Sequence, residues 1–344
     1  MIIKKFGEIQ GDEVQSISIE NENGLRAKFI TYGARLTELH VPDRNGELAD
    51  IVLGFDDLDS YLSTDIYFGA TCGRYGNRIT KGSFQLYGED YQVDQNEGLN
   101  HIHGGIEGFH VKNWDFQIND SRNILTFTSV SDDGEMGFPG RCELKVTYEL
   151  TNANKLLITM IANTDKTTIM NMVHHSYFNL AGYGSGDIRN QQVKINSRFF
   201  TPVNKELITT GEVLSVAGTP FDFTTMKAIG ENIDDLGGVF DAGGYDHNWC
   251  IDGEGMRPSV EVYDPKSGRR MLLETTEPGV QFYTGGHLSE DIIAKQGIKL
   301  CKYAGFALET QKYPDTPNNS HFPNCILQPD ETYVHELALT FSTD

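Results

Sequence analysis

The sequence predicts an all-β fold: a large antiparallel β-sandwich with few short helices, in a single domain that spans residues 1–344. Apolar and polar residues alternate with a period of two along most of the chain, and 36 glycines are spread among these runs. Only 56–62 and 289–295 show a short helical pattern. Alternation is the pattern of half-buried strands, and regularly spaced turn residues are typical of sandwiches.

Four hairpins are predicted where turn residues separate two alternating runs. The strongest signal is Asn23-Gly24, because a two-residue turn of this type requires positive φ at both positions. It joins 14–20 to 25–32. The other pairs are 84–87 with 91–93, 144–150 with 156–161, and 259–263 with 271–275, and a further strand is predicted over 333–342.

Charge and composition limit the function classes. With 28 Lys and Arg against 49 Asp and Glu, the net charge is −21, which disfavours nucleic acid and membrane partners. A neutral substrate suits this charge better than a sugar phosphate, although acidic surfaces also simply aid solubility. The five cysteines show no CxxC spacing, the N-terminus has no apolar signal, and no apolar run approaches the ~20 residues of a membrane helix. These features predict a cytoplasmic protein with reduced thiols.

Glu309 is the residue that most strongly suggests chemistry. It interrupts an otherwise apolar strand, on the face that it shares with Ala307 and Gln311. A carboxylate in such a strand is costly unless it has partners, and groups of this kind are candidates for functional sites. An outward-facing glutamate on an edge strand is the alternative.

Two adjacent histidines, His174 and His175, lie in another predicted strand. His175 and Tyr177 share one face of it, whereas His174 and Ser176 share the other. Only one of the two histidines can therefore belong to a given pocket. A polar edge strand is the alternative.

A third segment carries a metal-like spacing. His101 and His103 lie on the same side of a strand, and Glu107 extends the pattern towards that of a cupin metal site. The glycines that bracket the cupin motif are misplaced, however. Hydrogen-bonded turn residues, a metal site and metal-free catalysis all remain open for these histidines.

Two further segments combine turn residues with polar groups. The Gly-rich segment 73–79 contains Arg74 and Arg78, which suits an anion or sugar hydroxyls but also an ordinary surface loop. Asp246 lies among aromatic residues after a double glycine. Carboxylates accept hydrogen bonds from sugar hydroxyls, and aromatic rings stack on C–H surfaces, although an aspartate that initiates a turn is equally consistent.

Six motifs in register resemble the galactose mutarotase (aldose 1-epimerase) family over nearly the whole chain. They are Asn-Arg-Ile at 77–79, His-Gly-Gly at 103–105, His-Ser-Tyr-Phe-Asn-Leu at 175–180, Asp-His-Asn at 246–248, Gln-Phe-Tyr-Thr-Gly at 281–285 and Leu-Glu-Thr-Gln at 308–311. The resemblance implies a mutarotase-like supersandwich with an open cleft. It also implies interconversion of the α and β anomers of a neutral aldose such as D-galactose or D-glucose.

The resemblance assigns roles to individual residues. Glu309 corresponds to the catalytic base and His175 to the general acid, and we expect each to favour the charged state of the other. His174 replaces an asparagine that is common in the family. The implied substrate-binding residues are Asn77, Arg78, His103, Ser176, Tyr177, Asp246 and Gln281.

The same resemblance implies acid–base chemistry on a monosaccharide with no required cofactor and no catalytic metal. A structural Ca²⁺ or Na⁺ on so acidic a protein stays open, as does the choice between a monomer and a homodimer. We expect Arg78 to act on the substrate and to contribute little to stability. The rival functions are a metal-dependent enzyme that uses His101, His103 and Glu107, a sugar-binding protein without catalysis, and a hexose-phosphate epimerase-like protein.

Overall fold

The computed structural model describes residues 1–236 and 243–344, and strands dominate their architecture. Within these residues the strands, numbered in chain order, are the following. β1 to β10 are Ile2–Ile9, Asp12–Glu20, Arg26–Ile30, Arg35–Pro42, Leu48–Asp50, Ala70–Cys72, Arg78–Ile79, Ser83–Leu86, Glu89–Gln92 and His101–Ile102. β11 to β20 are Asp115–Asn119, Ile124–Ser131, Cys142–Leu150, Lys155–Thr164, Thr168–Ile169, Val173–His175, Tyr177–Phe178, Gln192–Ile195, Phe199–Thr201 and Leu214–Ser215. β21 to β28 are Lys227–Ala228, Asp246–Cys250, Arg257–Tyr263, Arg269–Thr275, Gly279–Tyr283, Phe306–Gln311, Ile326–Leu327 and Tyr333–Thr343.

Helices are few and short in the described part of the chain, as predicted. The α-helix α1 spans Leu58–Leu62, where the Asp57 side chain accepts a hydrogen bond from the Ser60 amide and caps the first turn. The 3₁₀ turns are Thr80–Gly82, Phe109–Val111, Asp120–Arg122, Glu135–Gly137, Ile229–Glu231, Lys295–Gly297 and Thr316–Asn318.

Three larger antiparallel sheets build the β-sandwich. A five-stranded sheet has the order β1-β2-β3-β4-β5, a nine-stranded sheet the order β11-β12-β13-β14-β28-β24-β23-β18-β21, and a six-stranded sheet the order β17-β26-β25-β22-β19-β20. The predicted all-β sandwich is confirmed. The described residues contain no helix whose length and apolar character would let it span a bilayer.

The four predicted hairpins are confirmed as β2–β3, β8–β9, β13–β14 and β23–β24. The turn predicted at Asn23-Gly24 is wrong in detail, because only Gly24 has positive φ there and the strands are joined by residues 21–25. The Asn21 side chain accepts hydrogen bonds from the amides of Asn23 and Leu25. These side-chain bonds add to the backbone hydrogen bonds of the turn, in which the Asn21 amide donates to the Leu25 carbonyl and the Gly24 amide to the Asn21 carbonyl.

The helical pattern predicted over 289–295 is also wrong. The Lys295 ammonium is buried, where it donates to the Asp50 carboxylate and to the carbonyls of Thr37 and Val52. Gln296 then adopts a left-handed φ of 56°, which no α-helix continues. Partners remote in sequence therefore override the local periodicity.

Strand alternation places apolar and polar residues on opposite faces of the six-stranded sheet. Val280, Phe282 and Leu308 belong to the large core shared with the nine-stranded sheet. Gln281 and Glu309 lie directly opposite each other in the register of β25 and β26. Because residues that face each other across strands share a face, the other side of this sheet is a polar surface around Glu309.

Candidate active site

A cavity of about 210 Å³ lies at this polar surface. It is bordered by four strands of the six-stranded sheet (β17, β22, β25 and β26), by residues of β7, β10 and β16, and by loops that precede β6, β7 and β10 or follow β10 and β25. Seven of the nine predicted site residues line it: Asn77, Arg78, His103, His175, Tyr177, Asp246 and Glu309.

Glu309 and two histidines form the buried centre of the cavity. His175 Nε2 is 3.4 Å from Glu309 Oε1, and His103 Nε2 is 3.9 Å from Glu309 Oε2. All three side chains are almost fully buried, and Glu309 Oε2 has no hydrogen-bond donor among the described residues. A buried acceptor without a donor is costly, so this oxygen is available to a substrate proton.

Burial dominates the protonation of the pair. It raises the pKa of Glu309 well above its usual range, assisted by the negative charge of Asp246, and Arg78 opposes this shift. Burial also lowers the pKa of His175 to about 4. In the free site, desolvation therefore outweighs the expected attraction between the charged forms of the two groups.

His103 is held in one tautomer by the backbone. Its Nδ1 accepts a hydrogen bond from the Asn77 amide, and its own amide donates to the Asn77 carbonyl. An Nδ1 that accepts must lack a proton, so the neutral ring carries its proton on Nε2, which faces the cavity. Burial lowers the pKa of His103 well below its usual value, and His103 therefore serves as a neutral donor.

The same tautomer bears on metal binding. His103, His175 and Glu309 offer ligand atoms that lie within 4.8 Å of one another. A metal would bind to His103 through the lone pair of Nε2. Because Nδ1 accepts a hydrogen bond from the Asn77 amide, Nε2 carries the proton of the neutral ring and has no free lone pair. The donor set therefore fits a metal poorly.

The structure does not bring together the cupin-type set that the spacing left open as an alternative. His101 Nδ1 bonds to the Asp94 carbonyl, and its Nε2 accepts from the Gly104 amide. Glu107 is exposed to solvent. Only His103 of the three reaches the cavity, and His101 is a hydrogen-bonded residue of strand β10, not of a turn.

Arg78 makes ion pairs with two carboxylates that line the cavity. Its Nε and Nη2 donate to the two carboxylate oxygens of Glu97, each at 2.7 Å, and its Nη1 lies 3.7 Å from Asp246 Oδ2. The guanidinium is buried between these groups. In contrast to the expectation from the sequence, we therefore expect Arg78 to contribute to stability, because its removal would leave Asp246 and Glu309 without their nearby positive charge.

Gln281 and Ser176 do not line the cavity, in contrast to the roles implied by resemblance. Gln281 donates from Nε2 to Asp246 Oδ1 at 2.6 Å, so it orients the carboxylate from behind. The Ser176 hydroxyl bonds to His174 Nε2 at 2.8 Å, on the opposite face of the strand. Alternation alone predicts this position of Ser176, and the resemblance misplaced it.

The two adjacent histidines point to opposite faces, as predicted. His174 Nδ1 lies 3.3 Å from the Tyr148 hydroxyl, which itself donates to the Ala34 carbonyl. Burial lowers the pKa of His174 to about 3. His174 is thus a neutral residue of the core behind His175.

Aromatic rings fix the plane of the His175 imidazole. Tyr177 stacks on it with ring centroids 5.1 Å apart, and Tyr67 stacks on it at 5.6 Å. Tyr67 also contacts His103 at 4.6 Å. The two stacked rings restrict the orientation of His175, whereas the Tyr67 ring is tilted by 55° against that of His103.

Several residues that line the cavity are not among those predicted from the sequence. Tyr283 lies in the Gln-Phe-Tyr-Thr-Gly motif at 281–285, next to the core residue Phe282. Strand alternation could therefore have predicted that Tyr283 faces the cavity. Tyr67, Glu97 and His287 lie outside regular strands, where no period predicts direction. The others are Asp65, Ile66, Ile102, Leu288 and Ile292.

Comparison with known proteins gives one consistent result. The family model described as aldose 1-epimerase matches residues 15–340. The chain is 41% identical to the galactose mutarotase of Bos taurus, over 96% of this chain and 94% of that protein. It is 33% identical to the aldose 1-epimerase of Escherichia coli, over 94% of each.

Solved structures agree with this likeness. The aldose epimerase homologue from C. elegans has a TM-score of 0.88 at 28% identity and covers 95% of this chain and 98% of its own. The galactose 1-epimerase from Lactobacillus acidophilus has a TM-score of 0.87 at 28% identity and covers 99% and 98%.

Replacement of Arg78 is expected to affect both folding and function. Arg78→Ala leaves buried carboxylates unpaired, so we expect the free energy of unfolding to fall by about 1–3 kcal/mol. Urea unfolding followed by circular dichroism measures this change, and kinetics on the folded fraction should show a raised KM or a lowered kcat. An unchanged urea midpoint would contradict a structural contribution from the Arg78 ion pairs.

Proposed function

We propose that this chain, which belongs to the aldose 1-epimerase family, interconverts the anomers of a neutral aldose with Glu309 as base and His175 as acid. Membership makes it an isomerase that acts on carbohydrates. The observation that carries the residue assignment is the buried pair of Glu309 and His175, 3.4 Å apart, beside a carboxylate oxygen without a donor. D-Galactose and D-glucose are the aldoses that we propose first, since the vertebrate relatives are galactose mutarotases.

Anomer exchange requires two proton transfers and one bond rotation. Glu309 takes the proton from O1 while His175 gives a proton to the ring oxygen, and the C1–O5 bond breaks to leave an open-chain aldehyde. Rotation about C1–C2 exposes the other face of C1. The O5 hydroxyl then attacks C1 and returns its proton to His175, and Glu309 returns its proton to O1.

This scheme needs one proton on the pair of catalytic groups. With burial raising the pKa of Glu309 and lowering that of His175, the free pair holds its proton on Glu309. Transfer of that proton across to His175 Nε2 gives the carboxylate and imidazolium that the reaction uses. The pair therefore titrates as a unit, and its active state is the singly protonated one.

The surrounding groups have positioning roles in this proposal. The Nε2–H group of His103 points towards the sugar. It can donate a hydrogen bond near the ring oxygen while the imidazole stays neutral. Asp246 accepts from hydroxyls, and Arg78 and Asn77 donate to them. Contacts of this kind hold the pyranose while the ring opens.

We propose that no cofactor takes part. Each step is a proton transfer or a C–O bond change, so no electrons need an acceptor. The tautomer of His103 supports the same view, because it commits the lone pair that a metal would need.

The reaction itself is tested by polarimetry on freshly dissolved sugar. Catalytic amounts of the protein should speed the rotation decay of α-D-galactose, and exhaustive chelation should leave the rate unchanged because no metal is needed. α-D-Glucose, xylose, arabinose and maltose define the range of substrates. A decay equal to the buffer blank for all five sugars would show that the enzyme assignment is wrong.

Three single variants separate the catalytic groups from their neighbour. His175→Asn and Glu309→Gln should each lose about 10²–10⁴ in kcat, as is usual when a general acid or base is removed. His174→Asn is the matched control on the adjacent position, and it should stay within about tenfold of the parent because His174 faces the core.

The double variant adds a second criterion. Because both groups act in one exchange, His175→Asn with Glu309→Gln should lose less than the product of the single losses. Circular dichroism establishes that the variants are folded. An inactive His174→Asn beside an active His175→Asn would refute the site assignment.

The pH profile follows from the shifted pKa values. As pH falls, the singly protonated pair gains a second proton, at a pKa lowered towards 4 by burial of His175. As pH rises, the pair loses its only proton, at a pKa raised above the usual glutamate value. We therefore expect the acid limb of kcat/KM well below the ordinary histidine value of about 6.5. An acid limb at that ordinary value would contradict a desolvated His175.

A further inference from the structure

The charges around the cavity are strongly unbalanced. Arg78 is the only lysine or arginine among the described residues that line it, whereas four carboxylic side chains do so: Asp65, Glu97, Asp246 and Glu309. A lone guanidinium in a small polar cavity is the ordinary receptor for a carboxylate or phosphate. Its environment therefore decides whether anionic sugars can bind.

Glu97 occupies the donor pair that such an anion would use. Guanidinium groups bind carboxylates through two parallel N–H donors, and Arg78 gives Nε and Nη2 to Glu97 Oε2 and Oε1, both at 2.7 Å. The remaining donors are the two N–H groups of Nη1 and the second N–H of Nη2, and Asp246 Oδ2 lies 3.7 Å from Nη1. A hydroxyl can accept from Nη1 and donate to Asp246, whereas a second carboxylate meets like charge.

The loop that carries Glu97 is organised to hold it in place. The Asn96 side chain donates to the Ile102 carbonyl and accepts from the Ile102 amide. The amides of Glu97 and Asn100 each donate to the carbonyl of the other. These bonds attach the loop to β10, and β10 pairs with β7, the strand that carries Arg78. The backbone positions of Glu97 and Arg78 are therefore fixed relative to each other.

We propose that Glu97 makes this site selective for neutral aldoses, because it occupies and neutralises Arg78 and so excludes uronic acids and other anionic sugars. The proposal rests on the proposed function and adds the class of substrate that the site rejects. One partner of this ion pair is buried and the other partly exposed, with 8% of the Arg78 side chain and 36% of the Glu97 side chain accessible.

The test compares two sugars that differ in charge at C6. D-Galactose is neutral and D-galacturonate carries a carboxylate, and both have a free anomeric hydroxyl. For Glu97→Gln we expect the ratio of kcat/KM for galacturonate over galactose to rise about tenfold or more, since one negative charge is removed from a confined site. Glu97→Asp keeps the charge and should keep a ratio near that of the parent.

Glu107→Gln is the matched control, because it removes one exposed loop carboxylate that does not line the cavity. Its ratio should equal that of the parent. Both sugars are measured on one sample, so the fraction of folded protein cancels. A ratio for Glu97→Gln that is unchanged or lower would overturn the proposal, and so would a failure of this variant to fold.

Dissociation constants for the same two sugars, measured by calorimetry, separate this proposal from the catalytic one. The ratio of the two constants should shift in favour of galacturonate in Glu97→Gln even if the parent showed no catalysis. A shifted ratio with an inactive parent would contradict the proposed reaction and still support the role of Glu97 in ligand selectivity. A parent active on galactose, with no shift in either ratio, would overturn only the role of Glu97.

Discussion

Burial of the Glu309 carboxylate is the constraint to which the rest of the site responds. The residue is 2% exposed, on a strand whose other face belongs to the main core. A carboxylate in this position either holds a proton or finds a positive partner. The protein supplies both, with His175 at 3.4 Å to share the proton and Arg78 to offset the negative charge.

The loops around the six-stranded sheet complete this arrangement. Asn77 and His103 both adopt left-handed backbone conformations, with φ of 63° and 52°, and exchange hydrogen bonds there. Side chains other than glycine reach this region only at some cost. The cost is consistent with a conformation maintained for function, since it fixes the His103 tautomer and sets Arg78 beside Glu97 and Asp246.

Gly104 shows how closely these loops approach each other. It has a φ of +91°, and a Cβ atom at this position would lie 1.7 Å from the Gly73 carbonyl oxygen. Only glycine fits such a contact. The two Gly-containing motifs of the sequence are therefore joined through space, which places His103 next to the segment that carries Arg78.

Local patterns predicted the sandwich and the direction of most strand side chains. Alternation placed Glu309 on the same face as Gln311 and separated His174 from His175, because a strand has a fixed period of two. It also placed Ser176 away from the cavity, where resemblance alone put it inside. Patterns of this kind fail where remote partners act, as at Lys295, whose ammonium reaches Asp50 across the fold.

The residues that contact the site residues could not be predicted from the sequence either, because these contacts join segments that are remote along the chain. Glu97 and Tyr67 lie in loops, and their roles depend on contacts with Arg78 and His175 that no spacing encodes. The shifted pKa values also come from burial, which depends on the packing of the whole sheet. Seven of the nine residues named from motifs line the cavity. Their protonation states, however, could not be predicted from the sequence.

The protonation of Glu309 in the free protein can be observed by carbon-13 NMR of glutamate labelled at the side-chain carboxyl, with Glu309→Gln to assign the signal. The buried, proton-sharing pair predicts a Glu309 signal that titrates well above the ordinary glutamate pKa of about 4.3. It also predicts that this signal moves when His175 is replaced. A Glu309 signal that titrates at the ordinary value, and is unaffected by His175→Asn, would contradict the shared proton on which the proposed chemistry depends.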